Sequence, residues 1–257
     1  MLGIGGPTIT GIPGPAGSVS LGGMSQGLSF GPAAELYDRN RPTYPPEAVE
    51  WALGIAGQRV VDLGAGTGIL TRVLRALGHR VVPVEPDIAM GTRLAGTTPG
   101  IVPVIGRAEA IPIGDGSVDA VTAGQAYHWF ATEPAHREMA RILRSGGLFV
   151  PIWNIRDESV PWIAELTRIV GSGDGHEGSR TPEPGPEFGP AERAVFRHEV
   201  PMTADRLVRL VASRSYYLTA TPQRQAALDA GIRDLAAGLP ETFPLPYDTI
   251  VYRVRRR

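Results

Sequence analysis

Apolar positions along this chain follow two alternating periods. Short runs rich in β-branched residues recur at Val60-Val61-Asp62-Leu63, Val81-Val82-Pro83-Val84, Ile101 to Ile105, Val118 to Ala123 and Leu148 to Trp153. Each reads as a buried strand. Between them the period lengthens. Leu70, Val73, Leu74 and Leu77 fall at i, i+3, i+4, i+7 and predict a helix after the first strand. Pro86-Asp87 caps a short helix through Met90 and Leu94. Ala135, Met139, Ile142 and Leu143 predict another from Glu133, stopped by Ser145-Gly146-Gly147. Ahead of the first strand, Pro45-Pro46-Glu47 starts a helix through Ala48, Val49, Trp51 and Ala52, with Thr43 or Tyr44 near its cap.

From Asn154 the pattern changes. A helix is predicted over Pro161 to Val170, then a Gly/Pro/Glu-rich loop from Gly171 to about Glu192. A strand over Phe196 to Val200, helices over Ala204 to Ser213 and Gln223 to Ala237, and a last strand over Asp248 to Arg253 complete the chain before Arg255-Arg256-Arg257. There is no internal repeat. Alternating strand and helix predict an α/β fold on a parallel sheet.

The stretch with the clearest chemistry is Asp62-Leu63-Gly64-Ala65-Gly66-Thr67-Gly68. A strand, a glycine turn and a helix start meet here. Glycines let a ligand lie against the main chain, and the first helical turn offers N–H groups to a negative group. A dinucleotide fingerprint requires G-x-G-x-x-G, but Ile69 stands where its third glycine belongs. A nicotinamide oxidoreductase is therefore a distant alternative, and a glycine turn without ligand is the plain structural one. Glu85 ends the second strand about 20 residues beyond Gly64. A carboxylate there can accept two hydrogen bonds from a ribose diol; its rival is a strand-end glutamate in solvent. The fourth strand ends in Gly124-Gln125-Ala126-Tyr127-His128-Trp129-Phe130. Polar and aromatic groups there fit the rule that open α/β sheets bind ligands outside strand carboxyl ends.

Composition narrows the function. Net charge is −1 and hydrophobic content 42%, which describes an ordinary globular chain and lends no support to bulk nucleic-acid or membrane binding. The chain has no cysteine, which excludes disulfides, thiolate metal sites and a cysteine nucleophile. It has no lysine: all 25 basic residues are arginines, which excludes Schiff-base chemistry and a P-loop lysine. The Ala, Gly, Pro and Arg bias suggests a GC-rich bacterial source. No run reaches the roughly 20 apolar residues of a membrane span, and the expected location is cytoplasmic. Residues 1–28 form a Gly/Pro/Ser-rich tail without the basic and apolar regions of a signal peptide, expected to be disordered. Met24 makes a natural start, with residues 1–23 an extension of little functional weight. Residues 29–257 are expected to form one domain, with 29–50 as an N-terminal lid and 154–195 as a variable insertion.

Several pieces together resemble the class I S-adenosylmethionine-dependent methyltransferases of small-molecule, trans-aconitate-methyltransferase-like type. They are Tyr37-Asp38, Arg41-Pro42 and Tyr44-Pro45; Asp62 to Gly68; Glu85-Pro86-Asp87; Ala108-Glu109; Ser117 to Val121; Ala126 to Phe130; and Gly146-Gly147. The resemblance covers about Phe30 to Val254. It implies a three-layer Rossmann-like fold with a mostly parallel seven-stranded sheet and an antiparallel last strand. It implies S-adenosyl-L-methionine as cofactor and S-adenosyl-L-homocysteine as product. The residues it assigns to the cofactor are Tyr37, Arg41, Tyr44, Asp62, Gly64, Ala65, Gly66, Gly68, Glu85, Pro86, Ala108, Glu109, Gln125 and Trp129. Tyr37, Arg41 or Tyr44 would reach the amino-acid carboxylate from a lid; a solvated arm is the rival. Ala108 and Glu109 would lie beside the adenine.

Methyl transfer is an in-line displacement in which the protein chiefly aligns donor and acceptor and excludes water. A hydroxyl acceptor usually needs a base and an acidic one does not. His128 is the candidate base, with a structural histidine beneath the cofactor as its rival. Amino-methylating enzymes carry an Asp/Asn-Pro-Pro-aromatic tetrad after the fourth strand; here that position reads Gln125-Ala126-Tyr127-His128. Base methylation of that kind is disfavoured, and the lack of a basic stripe disfavours nucleic acid generally. No acidic cluster for a metal stands out, so no metal ligand is assigned. The expectation is methylation of an oxygen or carbon of a small-molecule acceptor by a monomer or homodimer. The alternative is a methyltransferase-like binding protein without turnover.

Overall fold

The computed structural model describes residues 34–171 and 181–257. The expectations for the tail, for the start of the lid and for residues 172–180 of the loop lie outside them. The elements in chain order are α1 (Ala34–Asn40), α2 (Pro46–Leu53), β1 (Arg59–Leu63), α3 (Ile69–Ala76), β2 (Arg80–Glu85), α4 (Ile88–Thr97), β3 (Val104–Ile105) and β4 (Val118–Gly124). They continue with a single 3-10 turn at Tyr127–Trp129, α5 (Glu133–Ile142), β5 (Leu143–Arg156), α6 (Pro161–Val170), β6 (Phe188–Met202), α7 (Ala204–Ala212), α8 (Ser215–Leu218), α9 (Pro222–Ala237) and β7 (Phe243–Arg256).

The strands form one sheet in the order β3-β2-β1-β4-β5-β7-β6. β1 lies parallel between β2 and β4, with Val61 beside Val82 and Val121. β7 enters between β5 and β6 and runs antiparallel to both, as expected. Side chains alternate along β1. Val61 and Leu63 join the core on the α5 face with Met139, Phe149 and Trp153. Val60 joins the opposite core with Val49 of α2 and Leu74 of α3. Both faces are covered, so the central strands read as continuous apolar runs.

A third core lies apart from these. Ile163 and Leu166 of α6, Leu207 and Leu210 of α7, and Leu228 and Ile232 of α9 pack on Phe243, Leu245 and Tyr247 of β7. This helical cap comes from α6 and from the helices between β6 and β7. β7 starts beyond the end of β5, with Tyr247 opposite Arg156, so the cap stands at the carboxyl edge of the parallel strands.

Several boundaries differ from expectation. β6 begins at Phe188, inside the expected loop, and spans 15 residues; its face alternates half-buried and exposed positions because it is the sheet edge. β3 shortens to Val104–Ile105. α5 ends at Ile142, and β5 already begins at Leu143 and runs through Gly146-Gly147. A register shift opposite Val118/Ala120 absorbs the positive φ of Gly146. Helix α1 was not predicted, and its hold on the fold is tertiary: Asp38 meets Arg72 of α3 at 2.6 Å and Arg93 of α4 at 3.3 Å.

Candidate active site

A cleft of about 510 Å³ opens at the carboxyl ends of β1, β2 and β4, a size suited to a small-molecule ligand. The glycine turn forms its floor. Gly64 has φ 67°, and a Cβ there would meet the Ala126 Cβ at 2.8 Å. Gly66 has φ 55°, and a Cβ there would meet no atom within 4 Å. The first glycine therefore permits packing, and the second leaves room for a ligand along the backbone.

Glu85 lies on the cleft wall. Its Oε2 accepts the Gly66 N–H at 2.8 Å and its Oε1 accepts the Asp87 N–H at 2.9 Å. Burial outweighs these bonds and raises its pKa to about 7. Asp87 in turn caps α4, accepting from Ala89 and Met90.

Asp62 occupies a different place from the one its motif implies. It is fully buried beneath the turn and does not line the cleft. Thr71 Oγ1 donates to it at 2.6 Å and Thr122 Oγ1 at 3.1 Å, while burial raises its pKa to about 6. It ties β1, α3 and β4 together under the site. Gly68 is likewise away from the cleft wall: its absent Cβ makes room for Leu94 of α4. Ala65 does not line the cleft either. In contrast, Tyr37, Gly64, Gly66, Glu85, Pro86, Ala108, Glu109, Gln125 and Trp129 all do.

Gln125 is the single described non-glycine residue with positive φ, at 53°. Its N–H donates to Ile152 O, and its Oε1 accepts the Asn154 N–H at 2.8 Å. These two bonds hold the strained backbone in place at the strand end. Arg41 and Tyr44 line a smaller adjoining cavity rather than the cleft itself. Gly124 admits the Tyr44 hydroxyl, which lies 2.8 Å from where a Cβ would stand.

His128 sits on the 3-10 turn and is not among the residues lining the cleft. Its ring lies 4.8 Å from that of Trp129, and burial lowers its pKa to about 4. Residues missed from sequence include Leu63, Met90, Ile105 and Arg107 on the cleft wall. Leu63 and Ile105 end β1 and β3, so the strand-end rule would have found them.

The similarities fit this geometry. A profile of the methyltransferase domain matches residues 61–150. A Mycobacterium tuberculosis protein named as an uncharacterised methyltransferase is 43% identical over 236 residues, covering 88% of this chain and 95% of the relative. The chain belongs to the methyltransferase family. A fission-yeast methyltransferase-like relative, from Schizosaccharomyces pombe, is 29% identical over 232 residues, covering 84% of this methyltransferase and 91% of the relative. Among solved structures, one from Anaeromyxobacter dehalogenans, provisionally named a type II methyltransferase, superposes with TM-score 0.61. At 24% identity, over 84% of this chain and 97% of that one, it shares the fold. That fold is the Rossmann-like one of methyltransferases, with a mostly parallel seven-stranded sheet. Among the described residues no helix is long and apolar enough to cross a membrane.

Proposed function

We propose that this methyltransferase binds S-adenosyl-L-methionine in the cleft and transfers its methyl group to an oxygen or carbon of a small-molecule acceptor. The observation that carries the reading is Glu85: a carboxylate at the end of β2, on the cleft wall, beside the glycine turn. The residues present fit the cofactor. Glu85 would accept from the ribose diol, the Gly64 to Gly66 backbone would lie along the ligand, and Pro86, Ala108 and Glu109 would flank the adenine. Tyr37 and Gln125 stand at the end left for the amino-acid moiety, with Arg41 and Tyr44 behind them. Bound there, the cofactor supplies an electrophilic methyl group on a sulfonium.

This chain's part is alignment and exclusion of water. Trp129, Phe130 and Ala126 form the apolar wall toward the acceptor side. His128 is neutral at pH 7, as a base for a hydroxyl acceptor must be. It lies beside Trp129 and is not part of the cleft lining, so an acidic acceptor, which needs no base, is the simpler match. Calorimetric titration with S-adenosyl-L-homocysteine tests the cofactor assignment; no heat at millimolar ligand overturns it. A methyl-release screen over carboxylic acids, phenols and quinols then tests turnover and acceptor class. Cofactor binding with no turnover in any arm would favour a binding protein.

A further inference from the structure

A series of hydrogen bonds runs from the cleft across the sheet to its far edge. It starts at Gln125, which lines the cleft. It passes through Asn154 of β5 and Thr249 of β7 to His198 of β6. Asn154 and Thr249 are buried and stand opposite each other in the antiparallel register of β5 and β7. The proposed reaction uses none of the last three residues.

Each link allows one polarity. The Asn154 main-chain N–H can only donate, so the end of the Gln125 carboxamide that meets it at 2.8 Å is Oε1. The Thr43 carbonyl can only accept, so the amino end of the Asn154 carboxamide faces it, at 3.0 Å. Asn154 Oδ1 is then the end toward Thr249, whose hydroxyl donates to it at 2.6 Å. A threonine hydroxyl has one hydrogen. With that hydrogen spent on Asn154, the Thr249 oxygen accepts from His198 Nδ1 at 3.2 Å, so the ring proton sits on Nδ1. Burial lowers the His198 pKa against the opposing effect of the Glu47 charge, so the ring is neutral at pH 7 and carries that one proton. Its Nε2 is buried and has no hydrogen-bond partner among the described residues, as the bare nitrogen of this tautomer.

The series accounts for the Gln125 backbone. In a regular parallel ladder Gln125, whose N–H donates to Ile152 O, would receive the Asn154 N–H on its own main-chain carbonyl. Its φ of 53° ends the ladder, and the side-chain Oε1 takes the place of that carbonyl. A strained backbone persists where its surroundings over-determine it, and Asn154 supplies that constraint. Asn154 is itself fixed by Thr249 on one side and by Thr43, six residues after Tyr37 of the cleft wall, on the other.

We propose that Asn154, Thr249 and His198 are positioning residues for the cleft: their hydrogen bonds across β5, β7 and β6 hold Gln125 in its left-handed conformation and fix which end of its carboxamide is committed to the sheet. The effect on ligand binding rests on the reading of the cleft as an adenosyl site.

The test begins with the ligand-free protein. NMR of the histidine ring nitrogens should place the His198 proton on Nδ1, with His198→Gln identifying the signal. A proton on Nε2 overturns the proposal. This measurement is made on the wild type, so it decides the polarity of the series even where a variant fails to fold. Thr249→Val keeps the shape and removes the hydroxyl. It should shift the side-chain amide signal of Gln125, identified by its loss in Gln125→Gly; an unmoved signal overturns the proposal. Calorimetry with S-adenosyl-L-homocysteine is the second arm. Thr249→Val should weaken binding about three- to tenfold in the native background, the effect of one lost hydrogen bond, and leave it unchanged in the Gln125→Gly background. Equal weakening in both backgrounds shows a general loss of structure and overturns the proposal. So does no weakening in the native background. Thr249→Ser, which keeps the hydroxyl, should bind like wild type. If wild type does not bind S-adenosyl-L-homocysteine, the adenosyl reading fails, and the His198 tautomer and the Gln125 signal still uphold or overturn the hold on Gln125.

Discussion

Glu85 Oε2 accepts the backbone N–H of Gly66 at 2.8 Å. The bond joins the end of β2 to the turn after β1 and fixes the cleft floor before any ligand arrives. It also places a carboxylate where burial favours its neutral form.

This has a pH consequence. The Glu85 pKa is about 7 in the folded protein against 4.5 for the free side chain. Between those values the folded state holds a proton that the unfolded state has lost, so the Glu85 contribution to stability falls as pH rises through that window. The loss is of order 3 kcal/mol. Buried His128 works in the opposite direction, so the comparison must be with Glu85→Gln. Denaturant melts at pH 5 and pH 8 should show wild type losing more stability on alkalinisation than the variant. Binding runs the other way. A ribose diol needs an acceptor, so affinity for S-adenosyl-L-homocysteine should rise with pH up to about 7 and then level. Below that it should fall by up to about tenfold per pH unit. A flat profile from pH 5 to 8 would remove Glu85 from the ribose.

Gly64 and Gly66 should respond differently to alanine. Both have positive φ, which costs roughly 1 kcal/mol for an L side chain. At Gly64 the new methyl also meets Ala126 at 2.8 Å, whereas at Gly66 it meets nothing. Gly64→Ala should lower the melting temperature clearly more than Gly66→Ala. Gly66→Ala should fold and still lose cofactor affinity tenfold or more, because its methyl stands on the cleft floor. Calorimetry and a thermal melt on the same samples separate the two effects.

The sheet interior was legible because its physics is local. β1 and β2 are buried on both faces, and runs such as Val60-Val61 and Val81-Val82 carry that burial in their composition. The glycine turn was legible because positive φ demands glycine. Other features were not local. α1 spans seven residues and is held by Asp38 reaching across to Arg72 and Arg93. β6 mixes charged and apolar positions with Pro190 and Pro201, which an edge strand tolerates. Asp62 matched its motif, yet Thr71 and Thr122 draw it under the turn. Arg214 reaches the small cavity beside the cleft only through the folding of the cap, and no sequence spacing links it to Gly64.

The Asp38 contacts predict a latch on the N-terminal segment. Asp38 is 8% exposed as a side chain and engages two arginines, of which Arg72 also donates to Thr67 O in the glycine turn. Asp38→Asn keeps the shape and removes the charge. A charged hydrogen bond of this kind contributes about 1.5–3 kcal/mol, so the melting temperature should drop by several degrees. Tyr37 precedes Asp38 and lines the cleft, so the cofactor should also dissociate faster. Stopped-flow release of S-adenosyl-L-homocysteine checks this; an unchanged off-rate would make α1 a passive brace.

His128 can be assigned by two independent measurements. Its pKa of about 4 lies below the 6.5 of the free side chain. Between those values the unfolded chain takes a proton that the folded one refuses, so stability falls as pH drops through that window. His128→Asn should therefore flatten the acid limb of the stability curve, whatever the histidine does in catalysis. Turnover reads the other role. If the acceptor is a hydroxyl deprotonated by His128, the wild-type rate at saturating cofactor is level from pH 5 to 8 and the variant loses about 10²–10⁴-fold. If the acceptor is acidic, the variant keeps its rate to within a few-fold while the stability effect remains. The placement of the ring against Trp129, off the cleft lining, favours this second outcome. It would leave alignment and exclusion of water as the main work of the site.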